Sequence, residues 1–250
     1  MIRSYRVWDA PTRWCHWINV ITVLLLVLSG FLFMYRYSLH IESPEAKAAI
    51  QTVHSLVGYG FAINLLARIV WGFCGNRHAR WSAVLPGRAA LRALGAELRD
   101  LRRRRSFAYV GRGPLSRLSV SVMFALLLAQ AGSGLVRAGV DLYYPPFGRL
   151  MAAYIAGPEV DPASISWRNA KTLALPERYE RLGLVKSVSA PLHRYGAYLL
   201  LLMIVIHVTG VTLGEVRQQS GAVSAMFSGR KTLAGTPLDA AEAESGPRSS

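Results

Sequence analysis

Four apolar stretches, each long enough to cross a bilayer as a helix, constrain this 250-residue chain more than any other feature. They cover approximately residues 15–35, 52–73, 115–136 and 192–213. An α-helix needs about 20 mostly apolar residues to span a hydrocarbon core roughly 30 Å thick. Hydrophobic residues make up 52% of the chain and charged residues 17%, which favours a membrane protein over a soluble domain. We predict an all-α fold, an integral membrane four-helix bundle.

The net charge of +15 is unevenly distributed along the chain. Arginines crowd the segment 74–114, and further basic residues lie near both termini, whereas the other two connections balance their charges. The positive-inside rule therefore predicts that both termini and this segment are cytoplasmic, in a multi-pass protein of the bacterial inner membrane. Because the basic residues flank membrane spans, we predict no nucleic-acid partner.

The sequence predicts one membrane domain, residues 1–234, followed by a disordered cytoplasmic tail, residues 235–250. Within the domain, leucines at helical spacing opposite arginines predict a cytoplasmic surface helix at about residues 86–105. We expect it to lie on the membrane lipid of the inner leaflet, although a solvated charged helix has the same pattern. The segment 139–190 is predicted to be a long periplasmic loop, and loops of this length are often functional.

Histidines occur in three of the four spans: His16, His54, His193 and His207. Fourteen residues separate His193 from His207, or roughly 21 Å and about 40° around one helix. These two rings therefore leave the same helix face at two depths. With the N-terminus inside, His54 shares the outer depth with His193, and His16 shares the inner depth with His207.

Two histidines at one depth can hold one haem iron between them, and an iron with both axial positions filled transfers electrons instead of binding oxygen. The sequence thus predicts two bis-histidine haems. Glycines near the ligands support a bulky planar group, although close helix packing through small residues is the alternative. These glycines are Gly58, Gly132, Gly134, Gly196 and Gly210.

Three arginines are candidate contacts to haem propionates. Arg68 lies within the second span near its inner end and needs an anionic partner, for which a propionate of the inner haem is suited. Arg137 and Arg194 have the position to serve the outer haem, or else they reach the membrane interface.

Several blocks of the chain resemble the b-type cytochrome subunit of membrane-bound nickel–iron hydrogenases, a four-helix family related to the cytochrome subunits of formate dehydrogenases. They are VWDAPTRWCHWIN at residues 7–19, His54 with Gly58-Tyr59, RIVWGFCGN at 68–76, His193 with His207-Val208, and AVSAMFSGR at 222–230. The resemblance implies two haems b ligated by His16, His54, His193 and His207. It also implies electron transfer between a periplasmic partner with iron–sulfur or haem centres and the quinone pool.

The resemblance leaves the partner and the quinone site open. The external connection around residues 141–147 looks longer than in the plainest hydrogenase subunits. Trp17, Asn19 and Arg68 are candidate quinone contacts by position alone. We expect an electron-transfer subunit of a quinone-linked oxidoreductase complex, and we assign no catalytic residue. The alternatives are a stand-alone superoxide:quinone oxidoreductase and a haem-free membrane anchor.

Overall fold

The computed structural model describes residues 2–103, 109–218, 220–234 and 237–239. Within those ranges lie two β-strands, nine α-helices and a short 3-10 helix at Pro162–Ser164. The strands are β1 (Ile2–Arg6) and β2 (Arg230–Ala234). The helices are α1 (Ala10–Met34), α2 (Pro44–Cys74), α3 (Trp81–Val84), α4 (Arg88–Arg102), α5 (Pro114–Leu142), α6 (Gly148–Ile155), α7 (Ala170–Leu173), α8 (Pro176–Gln218) and α9 (Ala222–Ser228).

Four of the described helices, α1, α2, α5 and α8, are long and apolar enough to cross a membrane. Large apolar side chains on them stay exposed, among them Leu28 at 68%, Ile63 at 69% and Phe73 at 73% of their full area. Exposed apolar surface of this extent is suited to a surrounding of lipid and unfavourable in water. The predicted all-α membrane fold is confirmed, and the orientation of the termini remains a prediction.

The long helices extend beyond the predicted spans. α1 already begins at Ala10, and α8 begins at Pro176, well before the predicted start at residue 192. Pro191 lies inside α8 without ending it. A proline removes one helix hydrogen bond, but helices in membrane proteins often continue through it. Each predicted span coincides with most of one long helix, and apolar length underestimated how far α1 and α8 extend toward the N-terminus.

The chain forms two compact units. The first comprises residues 1–17, 66–125 and 200–250, and the second comprises residues 18–65 and 126–199. Each unit contains one of the two predicted histidine pairs. His16 and His207 belong to the first unit, and His54 and His193 belong to the second.

The first unit contains a small antiparallel sheet that the sequence analysis did not predict. β1 pairs with β2 in a register that runs from Ile2 opposite Ala234 to Arg6 opposite Arg230. A buried apolar cluster accompanies the sheet and consists of Val7, Trp8, Val110, Ala225 and Leu233. The two ends of the domain are thereby joined by backbone hydrogen bonds and by burial of apolar surface.

Asp9 joins three segments of the first unit. Its carboxylate accepts hydrogen bonds from the Thr12 backbone N–H at 3.1 Å, the Trp71 indole N–H at 3.0 Å and the Asn76 backbone N–H at 3.1 Å. The bond to Thr12 caps the first turn of α1. Burial alone raises the pKa of Asp9, but the hydrogen bonds from Thr12, Asn76 and Trp71 outweigh it, and the pKa is lowered.

α4 corresponds to the predicted surface helix and belongs to the first unit. It covers Arg88–Arg102 instead of residues 86–105, and residues 104–108 lie outside the described part of the chain. Leu91 and Leu98 are exposed on it. The Glu97 carboxylate accepts the Leu115 backbone N–H at 2.7 Å and so satisfies an unpaired donor at the start of α5.

The second unit gives the predicted periplasmic loop a packed core of its own. Residues 139–190 contain the end of α5, α6, the 3-10 helix, α7 and the start of α8. Their buried cluster is Val140, Ala152, Ile155, Ala156, Ile165, Ala170 and Leu182. Each short helix contributes too few apolar residues to show a helical hydrophobic pattern in the sequence. These residues become buried only when the short helices pack against one another.

The limits of the predicted domain and tail remain predictions. Most of the tail, residues 235–250, lies outside the described residues, of which only 237–239 fall within it. Asp239 there accepts the backbone N–H groups of Val110 at 2.6 Å and Gly111 at 2.8 Å.

Candidate haem site

The structure brings two of the four predicted ligands close together in the second unit. The rings of His54 on α2 and His193 on α8 have centroids 6.1 Å apart, with planes inclined at 82°. A metal bond to an imidazole nitrogen is roughly 2 Å long, and the ring centroid lies about 1 Å beyond that nitrogen. Two axial imidazoles on one iron therefore have centroids roughly 6 Å apart. The observed separation fits one iron between these rings.

A serine hydroxyl holds each of these two rings. Ser29 Oγ on α1 lies 2.9 Å from His54 Nδ1, and Ser133 Oγ on α5 lies 2.9 Å from His193 Nδ1. Gln130, also on α5, donates from Nε2 to the His193 carbonyl oxygen at 3.2 Å. Side chains from two helices, α1 and α5, thus contact the two rings and the backbone of His193.

Glycines lie close to the same rings. A Cβ atom at Gly30 would lie 3.7 Å from His54 Cε1, and one at Gly134 would lie 3.3 Å from His193 Cε1. Gly196 was predicted to leave room for a porphyrin edge, but a Cβ there would lie 2.3 Å from Gln130 Nε2. The space beside Gly196 is therefore occupied by the Gln130 amide.

The other glycines near the predicted ligands differ in how much space lies beside them. A Cβ at Gly58 would make ordinary contact with Leu26 at 3.9 Å. At Gly132 and Gly210 an added Cβ would meet no atom of the described residues within 4 Å. These two positions border open space, which is compatible with a bulky group or with lipid.

The first unit contains the second predicted pair, His16 on α1 and His207 on α8. The two rings interact electrostatically. His16 also contacts the Trp17 ring edge-on, with centroids 5.4 Å apart. Among the described residues, no group of three or more His, Cys, Asp or Glu side chains has the arrangement of a metal site.

Arg68 lies in α2 of the first unit, where the sequence placed a propionate contact. Its Nη2 donates to the Ala79 carbonyl oxygen at 2.9 Å, and its guanidinium lies 5.5 Å from the centre of the Trp81 ring. Its Nη1 is buried and has no hydrogen-bond partner among the described residues. A buried guanidinium N–H without a partner is costly, and an anionic oxygen is the partner that suits it best.

Arg137 and Arg194 in the second unit differ in the contacts that their guanidinium groups already make. Arg137 forms an ion pair with Asp141, and Lys186 lies 3.7 Å from the same carboxylate. Arg194 lies 5.3 Å from the centre of the Tyr195 ring. Arg194 thus has a cation–π contact, and Arg137 is neutralised by a carboxylate.

The remaining candidates for quinone contact have polar partners within the protein. The Trp17 indole N–H donates to the Met226 carbonyl oxygen at 3.1 Å, and its ring lies 4.8 Å from that of Phe227 on α9. In the second unit, Asn19 Oδ1 accepts the Asn64 amide at 2.7 Å. The structure therefore brings α9 against Trp17 and pairs Asn19 with Asn64.

Two basic residues in the first unit, Arg112 and Lys231, were given no role in the predictions from the sequence. The Arg112 guanidinium lies 4.2 Å from the centre of the Trp8 ring and donates to the His78 carbonyl oxygen at 2.8 Å. Lys231 donates to the Tyr109 and Gly111 carbonyl oxygens. Burial lowers the pKa of Arg112 to about 9 and that of Lys231 to about 8.

The contacts of the two serines and Gln130 with the histidines were not predicted from the sequence. A signal for the serines was present, because a Ser-Gly dipeptide occurs at residues 29–30 and again at 133–134, each in a span that faces a candidate ligand. Serines are common in membrane helices, so the dipeptide alone does not distinguish a ring contact from a backbone bond.

Comparison with known proteins identifies the family. A family model described as prokaryotic cytochrome b561 matches residues 7–229. A probable Ni/Fe-hydrogenase B-type cytochrome subunit from Cupriavidus necator is 26% identical over 249 residues, which cover 93% of this chain and 88% of the relative. One of the same name from Rhizobium leguminosarum bv. viciae is 28% identical over 253 residues, covering 92% and 89%. No solved structure matches the chain significantly.

The family match contains all four candidate histidines and covers most of the chain, and the resemblance seen in the sequence is confirmed. A cytochrome of the b type holds haem b, and the four apolar helices make this one a multi-pass protein of the inner membrane. The chain belongs to the prokaryotic cytochrome b561 family.

Proposed function

We propose that this chain is the membrane electron-transfer subunit of a quinone-linked oxidoreductase complex and that its redox partner is a hydrogenase. Two haems b are held by histidine pairs, one by His54 and His193 and the other by His16 and His207. The observation that carries the proposal is the 6.1 Å separation of the His54 and His193 rings. A haem iron with two axial imidazoles supplies reversible one-electron transfer.

The protein's contribution is to fix ligation, burial and spacing. His193 and His207 belong to α8 and are fourteen residues apart, which corresponds to roughly 21 Å of helix rise. This spacing favours one pair toward each membrane face. The four long helices are apolar enough to lie in lipid, and the lipid around them is expected to keep water away from both pairs.

Arg68 is the proposed propionate contact for the pair His16 and His207, because its buried Nη1 has no hydrogen-bond partner in the part of the chain that the structure describes. For the other pair we favour Arg194 over Arg137. Arg137 is already paired with Asp141 and would have to exchange that carboxylate for a propionate.

The proposed orientation places both termini and α4 in the cytoplasm and residues 139–190 in the periplasm, in accordance with the arginine distribution. The packed helices α6 and α7 then form the surface on which the partner docks. The hydrogenase assignment is supported by the names of the relatives from Cupriavidus necator and Rhizobium leguminosarum.

Quinone reduction is proposed on the cytoplasmic side, near Trp17 and Arg68 of the first unit, and Asn19 is a further candidate by its position in the sequence alone. Trp17 and Asn19 already have partners in Met226 and Asn64, so they shape this site more than they supply free donors. A quinone carbonyl there needs a hydrogen-bond donor, and the buried Arg68 guanidinium, which lies in α2, can supply one.

Two experiments test the proposal. In native membranes, hydrogen gas should reduce the haems b of this chain, which a difference spectrum detects. In purified protein reduced chemically and freed of reductant, ubiquinone-1 or menadione should reoxidise the haems rapidly. The His16→Ala variant should lose the fast reoxidation, because it removes a ligand of the pair next to the proposed quinone site.

The same preparation separates the alternatives. Superoxide generated by xanthine and xanthine oxidase should not drive sustained quinone reduction, and superoxide dismutase supplies the control. Rapid turnover without a partner would instead favour a superoxide:quinone oxidoreductase. A colourless purified protein would favour the haem-free anchor.

A further inference from the structure

The two serines that contact His54 and His193 have the same hydrogen-bond geometry. Ser29 Oγ donates to the Leu25 carbonyl oxygen, four residues earlier, at 2.7 Å, and lies 2.9 Å from His54 Nδ1. Ser133 Oγ donates to the Ala129 carbonyl oxygen, also four residues earlier, at 2.7 Å. It lies 2.9 Å from His193 Nδ1. Both serines thus donate to the carbonyl oxygen four residues earlier and contact a histidine Nδ1, and the corresponding distances are equal.

This geometry determines where the imidazole proton lies. A hydroxyl has one hydrogen, and in each serine that hydrogen is committed to the backbone carbonyl. The serine oxygen must then accept from the ring, so Nδ1 carries the hydrogen. The reverse assignment would leave two oxygen lone pairs facing each other at 2.7 Å. Each neutral ring therefore has its free lone pair on Nε2, the atom that can bind a metal.

The residue after each serine allows the ring to approach. Gly30 and Gly134 follow Ser29 and Ser133, and a Cβ at either glycine would reach the Cε1 carbon of the same ring, at 3.7 Å and 3.3 Å. The closer of these distances is tighter than ordinary van der Waals contact. Each Ser-Gly dipeptide thus provides a hydrogen-bond acceptor and a flat surface for one imidazole.

We propose that Ser29 and Ser133 are positioning residues, each of which holds Nδ1–H of its histidine so that Nε2 of His54 and Nε2 of His193 face one iron. This inference rests on the proposed function, in which these histidines are axial ligands. The two serines come from α1 and α5, and the two histidines come from α2 and α8. In this proposal, residues from all four long helices hold the haem of His54 and His193.

The proposal has an electronic consequence. A hydrogen bond accepted from the far nitrogen makes a ligating imidazole a stronger donor. A stronger donor favours ferric over ferrous iron and so lowers the midpoint potential of that haem. Removal of the serine hydroxyl should therefore raise the potential of one haem and leave the other unchanged.

The test compares Ser29→Ala and Ser133→Ala with Ser29→Thr and Ser133→Thr by optical redox titration of the purified chain, with haem content measured in each. We expect the alanine variants to raise the potential of one haem, the one that is absent from His54→Ala. The double alanine variant should raise it further, and the threonine variants, which keep the hydroxyl, should match the parent. Ser187→Ala is the control, since that hydroxyl donates to the Leu184 carbonyl oxygen and no described contact joins it to a histidine.

Alanine variants with full haem content and unchanged potentials would overturn the proposal. If an alanine variant lost haem instead, restoration by threonine would support it and failure of threonine would contradict it. A threonine side chain forms the same backbone bond, so this comparison separates the hydroxyl from mere packing.

A second measurement needs no haem. Nitrogen-15 chemical shifts of histidine in the haem-free chain distinguish rings protonated at Nδ1 from rings protonated at Nε2. His54 and His193 should be protonated at Nδ1 in the parent, and Ser29→Ala should shift His54 toward the Nε2-protonated form. Unchanged shifts would overturn the serine assignment even if haem were bound. A parent chain that never binds haem, yet has Nδ1–H rings, would overturn the proposed function instead.

Discussion

The rings of His54 and His193 lie 6.1 Å apart although α2 and α8 are far apart in sequence. The serine contacts at Nδ1 and the Gln130 bond to the His193 backbone surround this pair. The two histidines should therefore act together, as the two ligands of one iron.

His54→Ala and His193→Ala should each remove the same single haem, and the double variant should lose no more than either alone. Contributions of groups that act as a unit are not additive, because loss of one ligand already disables the site. Haem per chain by the pyridine haemochrome assay measures this. His40→Ala, outside the long helices, should keep the full content, and losses that summed in the double variant would contradict the shared iron.

Arg68→Gln should lower the midpoint potential of the haem assigned to His16 and His207. A nearby cation favours ferrous over ferric iron, and its removal reverses that preference. Arg68→Lys, which keeps the charge, should shift the potential less. Redox titration provides the measurement, and a shift confined to the haem of His54 and His193 would contradict the assignment of Arg68.

Gly72→Ala should destabilise the protein by about 1 to 3 kcal/mol through overpacking. A Cβ at Gly72 would lie 2.3 Å from Nε1 of the Trp81 ring, and an indole cannot bend away as a flexible side chain can. Gly60→Ala on the same helix is the control, since a Cβ there meets nothing within 4 Å. Thermal unfolding in detergent should show a lower midpoint for Gly72→Ala alone, and equal midpoints for the two variants would contradict the packing.

The protein should lose stability as the pH falls from about 6.5 to about 4, and His78 should account for part of the loss. Burial, together with the charges of Arg77 and Arg112, lowers the pKa of His78 from 6.5 to about 4. The unfolded chain therefore binds this proton more readily than the folded chain does, and protonation favours unfolding across that interval.

The measurement is the unfolding midpoint of His78→Gln against pH, compared with the parent. The variant should show a shallower decline between about pH 6.5 and about pH 4. The charge of Asp239 raises the pKa of His78, and that of Lys231 lowers it. Asp239→Asn should therefore make the unfolding midpoint fall more steeply as the pH decreases. An identical slope in the parent and in His78→Gln would contradict the assignment.

Apolar length and charge distribution predicted the membrane fold, because the bilayer admits few solutions for a chain of this composition. The same criteria could not predict the start of α8 at Pro176, because its first turns precede the apolar stretch that begins near residue 192. They also could not predict the sheet of β1 and β2, whose five pairs join the two ends of the sequence. Pairing at such separation depends on the tertiary fold and leaves no local period.

The sequence was sufficient to pair His54 with His193, whose rings lie 6.1 Å apart, but not to predict the residues around them. Helix arithmetic predicted that His54 and His193 share a depth, and only coordinates could reveal which hydroxyls reach their Nδ1 atoms. Gly196 illustrates the limit. Its position one turn from His193 suggested space for a cofactor, whereas the space is taken by Gln130, a residue on another helix.

The most direct test of the central claim is the haem content of the purified chain, measured by the pyridine haemochrome assay with a reduced-minus-oxidised spectrum. Histidine pairs at two depths predict two low-spin haems b per chain, and His207→Ala should reduce this to one. A single haem in the parent, or two haems retained in His207→Ala, would contradict the assigned pairs.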